Sequence, residues 1–189
     1  MAFIIGIAGG TASGKSNFCD NLEKSLNELK IKIFHMDSYF KPEDERPLSE
    51  SFVSGKKYID DNHPFTMDLN KLKNDISANE KKNDHDVIII EGLLTLWDND
   101  IHNKLDLKIF IDCKSDERIV RRIRRNMEWG LTFDQITDVY LDMVRYRHDE
   151  YVEPSKWRAD IIINGSNSFE KPVLIIKEYL NNIYNLSKK

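Results

Sequence analysis

Residues 9–16 read Gly9-Gly10-Thr11-Ala12-Ser13-Gly14-Lys15-Ser16, a complete G-x-x-x-x-G-K-[ST] loop. The preceding Phe3-Ile4-Ile5-Gly6-Ile7-Ala8 is an apolar, β-branched run of strand length, and Phe18, Leu22, Leu26 and Leu29 follow at helical spacing. Strand, glycine-rich turn and helix are the context in which this motif works. Gly9 and Gly14 permit backbone conformations that turn N–H groups toward a phosphate chain, and the helix N-terminus adds partial positive charge. In such a loop Lys15 reaches the β- and γ-phosphates and the Ser16 hydroxyl ligates Mg²⁺. Residues 9–16 therefore predict a nucleoside triphosphate site at the end of a first strand.

Further apolar runs at 31–36, 86–91, 107–112 and 159–163 join 3–8 as expected strands. Val87-Ile88-Ile89-Ile90 and Ile161-Ile162-Ile163 are continuous rather than alternating, as in strands covered on both faces. Helical patterns fall at 16–29, 68–79, 115–128, 133–150 and 168–186. Thr132 with Gln135 forms a capping-box pair, and Ser115 before Asp116-Glu117 reads as a second helix cap. Strands alternating with helices predict an α/β fold: a P-loop NTPase with a mostly parallel five-stranded sheet, helices on both faces and a helical lid. Residues 1–189 are expected to form a single such domain, with the lid at approximately 118–132. The stretch 41–57 reads as a long loop.

A chain of 189 residues has the length to bury a substantial core as one domain. Its formal charge of −4 argues against nucleic acid as a partner. No apolar stretch approaches the ~20 residues that span a bilayer, so no membrane partner is expected. The chain starts directly on the first strand, with no basic leader segment. Cys19 and Cys113 are too few for a disulfide framework and lack metal-ligand spacing, which points to a reducing, cytoplasmic setting.

The polar residues of interest follow strands, where ligands gather in folds of this kind. Asp37 comes just after the second strand, placed to accept the proton of an attacking hydroxyl or to hold a metal's water; the alternative is an Asp that caps a turn. Glu91-Gly92 ends the strand 86–91, the usual place for the acid that completes a P-loop metal site; the alternative is a solvated Glu. Arg118, Arg121, Arg122 and Arg125 fall at i, i+3, i+4 and i+7 on one helical stripe. Arginine forks match phosphate oxygens, so the stripe reads as a lid over the triphosphate, hinged near Trp129-Gly130-Leu131. The alternatives are a solvated face or a nucleic-acid patch. No Asn-Lys-x-Asp motif follows a strand, which favours ATP over GTP. His35 reads as a buried polar group inside a strand. Trp97, Trp157 and the stripe Ile176, Tyr179, Leu180 and Ile183 read as packing residues.

Together these segments resemble the uridine kinase family, within a wider group that includes phosphoribulokinase, pantothenate kinase and nicotinamide riboside kinase. The loop 9–16 looks like the family's own phosphate loop. Asp37-Ser38-Tyr39-Phe40-Lys41 is similar to its segment with the catalytic aspartate. Tyr58-Ile59-Asp60-Asp61-Asn62-His63-Pro64, closing at Asp68, looks like its ribose-side segment. Val87 to Leu94 resembles its strand-Glu-Gly stretch, and Tyr151-Val152-Glu153-Pro154-Ser155-Lys156 with Ala159-Asp160-Ile161-Ile162 its last loop and strand. The resemblance covers about residues 3 to 165.

The chain departs from that pattern twice. Asn62, with Asp61 beside it, stands where the family has an aspartate before His-Pro. Only Asn79-Glu80-Lys81-Lys82-Asn83-Asp84-His85 joins helix to strand where those enzymes carry a base-gripping β-hairpin. The phosphotransfer machinery is carried over and the base pocket is not.

The resemblance implies an ATP-dependent kinase acting on a hydroxyl of a nucleoside-like acceptor. Lys15, Ser16 and Glu91 would manage phosphates and Mg²⁺, and Asp37 would take the acceptor's proton. Arg121, Arg122 and Arg125 would close over the transferring group. Asp61 or Asn62, His63 and Tyr39 would hold the acceptor. Homo-oligomers occur in the family, although no segment here marks an interface. The competing reading is a nucleotide-binding regulatory module without transferase activity.

Overall fold

The computed structural model describes residues 2–51 and 53–187. Its main sheet has five parallel strands: β1 (Phe3–Gly9), β2 (Ile31–His35), β5 (Val87–Glu91), β6 (Leu107–Asp112) and β7 (Ile161–Asn164), in the order β2-β5-β1-β6-β7. Side chains of each strand alternate between two apolar layers, as the strand's period of two requires. Ile5 and Ile7 of β1 and Ile89 of β5 face helices α1 (Lys15–Ser25) and α7 (Glu170–Ser187), packing on Phe18, Leu22, Ile176 and Leu180. Ile4, Ala8, Ile88 and Ile90 face the other way, onto Leu72 and Ile76 of α2 (Leu69–Lys82) and Ile101 of α3 (Asn99–His102). Covering both faces explains why these strands are continuous apolar runs.

Helix α4 (Ser115–Glu128) stops at Trp129, and Gly130 takes the positive φ of 91° that turns the chain into α5 (Phe133–Val139). Thr132 and Gln135 make the full capping box expected of them. Ser115 is instead the first residue of its helix; Lys114 occupies the cap position, with no side-chain bond there. The helix at 133–150 runs further than its pattern. It passes through a π-helical turn (Tyr140–Val144), a short α6 (Arg145–Arg147), a second π-helical turn (His148–Val152) and a 3₁₀ stretch to Arg158.

The segment 41–57 differs most from its reading as a loop. It contains β3 (Leu48–Glu50), which pairs antiparallel with β4 (Lys57–Ile59) as a separate two-stranded hairpin. These strands are three residues each, too short to carry a periodic signal. Helix α2 reaches Lys82, leaving four residues before β5 and no space for a hairpin at that point. Trp157 is 79% exposed, under the Lys156 ammonium, rather than packed in the core. Among the described residues, no helix is long and apolar enough to cross a membrane.

Candidate active site

The parallel sheet brings the ends of β1, β2 and β5 to one edge, with Ile7 and His35 both in register with Glu91. The phosphate loop rises from the centre of that edge. Gly14 precedes α1 with φ of 102°, a conformation that excludes an ordinary side chain, and Gly9 and Ala12 also have positive φ. Lys15 is buried and donates from Nζ to the Gly10 carbonyl at 3.1 Å. Burial pulls its pKa down, while the Glu91 and Asp37 carboxylates act the other way.

Glu91 is 6% exposed and its two oxygens have different partners. Oε1 accepts from Ser16 Oγ at 3.4 Å, and Oε2 lies 3.0 Å from His35 Nδ1. His35 is therefore not a buried strand residue. It lies open at the strand end and orients the carboxylate. A hydroxyl and one buried carboxylate facing each other form an oxygen donor pair suited to Mg²⁺, which keeps waters and shares phosphate oxygens. No cluster of three or more His, Cys, Asp or Glu side chains that could hold a metal exists among the described residues.

Asp37 sits in a short 3₁₀ turn after β2, open to solvent on its cleft side. The surrounding protein removes part of its hydration and raises its pKa; Lys15 and Arg125 pull the other way, and Glu91 adds to the rise.

The arginine stripe divides into three environments. Arg118 is 4% exposed and lies beneath the loop, its Nε donating to the Cys113 carbonyl at 3.0 Å. A Cβ on Gly10 would stand 2.6 Å from its Nη1 and 3.0 Å from His148 Cε1. His148 is pulled down to about 4 by burial and by Arg118, which keeps it uncharged beside that guanidinium. Arg121 donates to the Gly165 carbonyl at 2.9 Å and pairs with Glu117. Arg122 and Arg125 both reach Thr11 Oγ1, at 2.9 and 3.5 Å.

Two clefts meet at the loop. One, of about 490 Å³, lies beside Gly14, Asn17, Arg121, Gly165 and Phe169. The other, of about 450 Å³, holds Asp37, Tyr58, Asp61, Asn62, Glu91 and Arg122. Ala12, Lys15, Ser16 and Arg125 line both. Tyr39 and His63 do not line either cleft. Tyr39 donates its hydroxyl to Asp75 at 2.9 Å, and His63 accepts from the Phe65 N–H and packs its ring on Tyr151. Tyr58, quoted above only within its longer segment, and His35 find their partners far away in the chain, Asp142 for one and Glu91 for the other, so neighbouring residues do not signal these pairings.

The model of the phosphoribulokinase / uridine kinase family matches residues 46–169. A uridine kinase of Clostridium botulinum (strain Okra / Type B1) is 37% identical over 183 residues, covering 85% of this chain and 86% of that protein. A uridine kinase of Clostridium novyi (strain NT) is 33% identical over 199 aligned positions, covering 92% and 93%. Phosphoribulokinase from Rhodobacter spheroides has the same fold, with a TM-score of 0.63 at 16% identity over 89% of this chain and 74% of that one. The family match and the relatives at 33–37% identity over most of the chain show that the chain belongs to the phosphoribulokinase / uridine kinase family.

Proposed function

We propose that the protein transfers the γ-phosphoryl of ATP to a hydroxyl of a nucleoside-like acceptor. Uridine is the first acceptor to test, since the Clostridium relatives are uridine kinases. The observation that carries this reading is the convergence of Lys15, Ser16, Asp37 and Glu91 where two clefts meet. ATP would enter the cleft beside Gly165, and the acceptor the cleft beside Asp61. The chain would work as one kinase domain, with 118–132 as its lid.

Asp37 would accept the proton of the attacking hydroxyl, helped by a pKa already raised toward the working range. Asp61 and Asn62 would hold the acceptor's other hydroxyls. Tyr39 and His63 would support that wall from behind it. Lys15, Arg122 and Arg125 would neutralise charge on the transferring group, and Arg121 would act on the nucleotide side. Ser16 and Glu91 would hold Mg²⁺, directly or through water, and the ion would neutralise charge on the β- and γ-phosphates. The transition state is loose, so positioning and charge supply most of the rate. The buried thiols Cys19 and Cys113 agree with a reducing, cytoplasmic setting. The regulatory-module reading has no observation in its favour, because an acceptor-side base is superfluous to a sensor.

The test is ADP release from Mg·ATP against uridine, cytidine and adenosine, with Asp37→Asn as control. Stimulation that disappears in the variant supports the reading. Tight ATP binding with no stimulation by any of the three counts against it.

A further inference from the structure

The β3–β4 hairpin makes no ladder to the main sheet, and its strands pair over three residues only. A hairpin this short is marginal on its own. Its position is set instead by side chains of the helical segment 133–152. Asp142, 7% exposed, accepts from the Tyr58 hydroxyl at 2.9 Å and from Ser54 at the hairpin tip. Arg147 donates from Nε to Asp60, which is fully buried, at 2.6 Å, and from Nη2 to Ser49 at 3.1 Å. Asp142 and Arg147 are five residues apart, a spacing that a pure α-helix turns to different sides. π-helical turns lie on either side of α6, and their wider winding brings residues five apart toward one face.

The same helical segment also lines the acceptor cleft. Gln135, Ile136 and Val139 line that cleft together with Tyr58, Ile59 and Asp61. One helical segment therefore both lines the cleft and pins the hairpin.

We propose that the β3–β4 hairpin is the element that sets acceptor choice, with Tyr58 meeting the acceptor and Asp142 and Arg147 as positioning residues. This inference rests on the phosphotransfer reading above. It predicts that loosening the ties widens the acceptor cleft and leaves the nucleotide cleft, on the far side of the phosphate loop, as it was.

The test measures KM for uridine and for ATP, together with backbone amide exchange, in Asp142→Ala, Asp142→Asn and Arg147→Lys. Asp142→Ala and Arg147→Lys are expected to raise the uridine KM roughly tenfold with the ATP KM within about twofold. Amide exchange over 57–63 should quicken while that over 9–16 stays unchanged. Asp142→Asn should recover most of the loss, because its amide oxygen still accepts from Tyr58. Parallel rises in both KM values, or equal quickening in both segments, would reduce these residues to general stability and overturn the proposal. Unchanged values in every variant would do the same. If no nucleoside stimulates the wild-type protein, the acceptor role falls with the phosphotransfer reading. Exchange over 57–63 then reports separately whether the tie itself exists.

Discussion

His35 Nδ1 lies 3.0 Å from Glu91 Oε2, and the two residues face each other in register at the ends of β2 and β5. Only the other oxygen of Glu91 meets Ser16. The imidazole thus fixes the rotation of the carboxylate proposed to hold Mg²⁺. Outer partners of this kind commonly change metal affinity ~10–100-fold when removed. His35→Ala is expected to raise the Mg²⁺ concentration for half-maximal ADP formation roughly tenfold, and His35→Gln by less. A magnesium titration of the three proteins checks this, and superimposable curves would remove His35 from the site.

Asp37→Asn should cost at least ~10²-fold in turnover, the scale of a lost general base, while ATP still binds with wild-type affinity in calorimetry. The same substitution should stabilise the fold at neutral pH. Lost hydration raises the Asp37 pKa in the folded protein, so the folded state holds that proton more tightly than the unfolded chain does. Its contribution is favourable below the unfolded value of ~3.9 and is lost as pH rises through the raised one. Asn removes the cost of a poorly hydrated charge. The melting temperature of the variant should exceed the wild type's at pH 7, and the gap should close toward pH 4.

The acid limb of kcat/KM should follow Asp37 and lie above the ordinary carboxylate range. Arg125 pulls that pKa down, so Arg125→Gln should move the limb to higher pH while lowering the rate. Rate profiles measured side by side decide the matter. A limb at the same pH in both proteins would detach it from Asp37.

Lys15→Ala should weaken ATP binding itself, because Lys15 is the buried ammonium held against the Gly10 carbonyl at the junction of both clefts. Calorimetric titration with ATP is the check. Unchanged affinity would place the phosphates elsewhere.

Gly10→Ala would push a methyl to 2.6 Å from the Arg118 guanidinium, which is buried and held by the Cys113 carbonyl. Overpacking of this sort costs about 1–3 kcal/mol. Urea unfolding should show that loss in the midpoint, with the slope unchanged. An unaltered midpoint would mean that Arg118 moves aside freely.

Residues 3–16, the order of strands and helices, Asp37, Glu91 and the Thr132 capping box were legible because each rests on short-range chemistry. A glycine-rich turn, a run of β-branched residues or a cap three residues from its partner is written in neighbouring positions. The hairpin at 48–59 was not legible, because its three-residue strands carry no period and its position depends on Asp142 and Arg147. The spacing of the arginines puts them on one helical face but does not reveal that they enter three environments. Helical spacing gives a direction around an axis, but whether Arg118 ends under the loop while Arg122 reaches Thr11 depends on what packs against each turn. His35 differs from its reading as a buried strand residue for a related reason: its strand ends there, and a period of two says nothing about where a sheet edge opens to solvent. The sequence by itself determined the nucleotide loop, the layered α/β fold and the acids that follow its strands, since these follow from local covalent and hydrogen-bonding preferences. Tertiary structure alone decided how Glu91, His35, Tyr58 and Asp142 pair, because those contacts join positions 56 to 84 residues apart, and packing of the folded chain sets such distances.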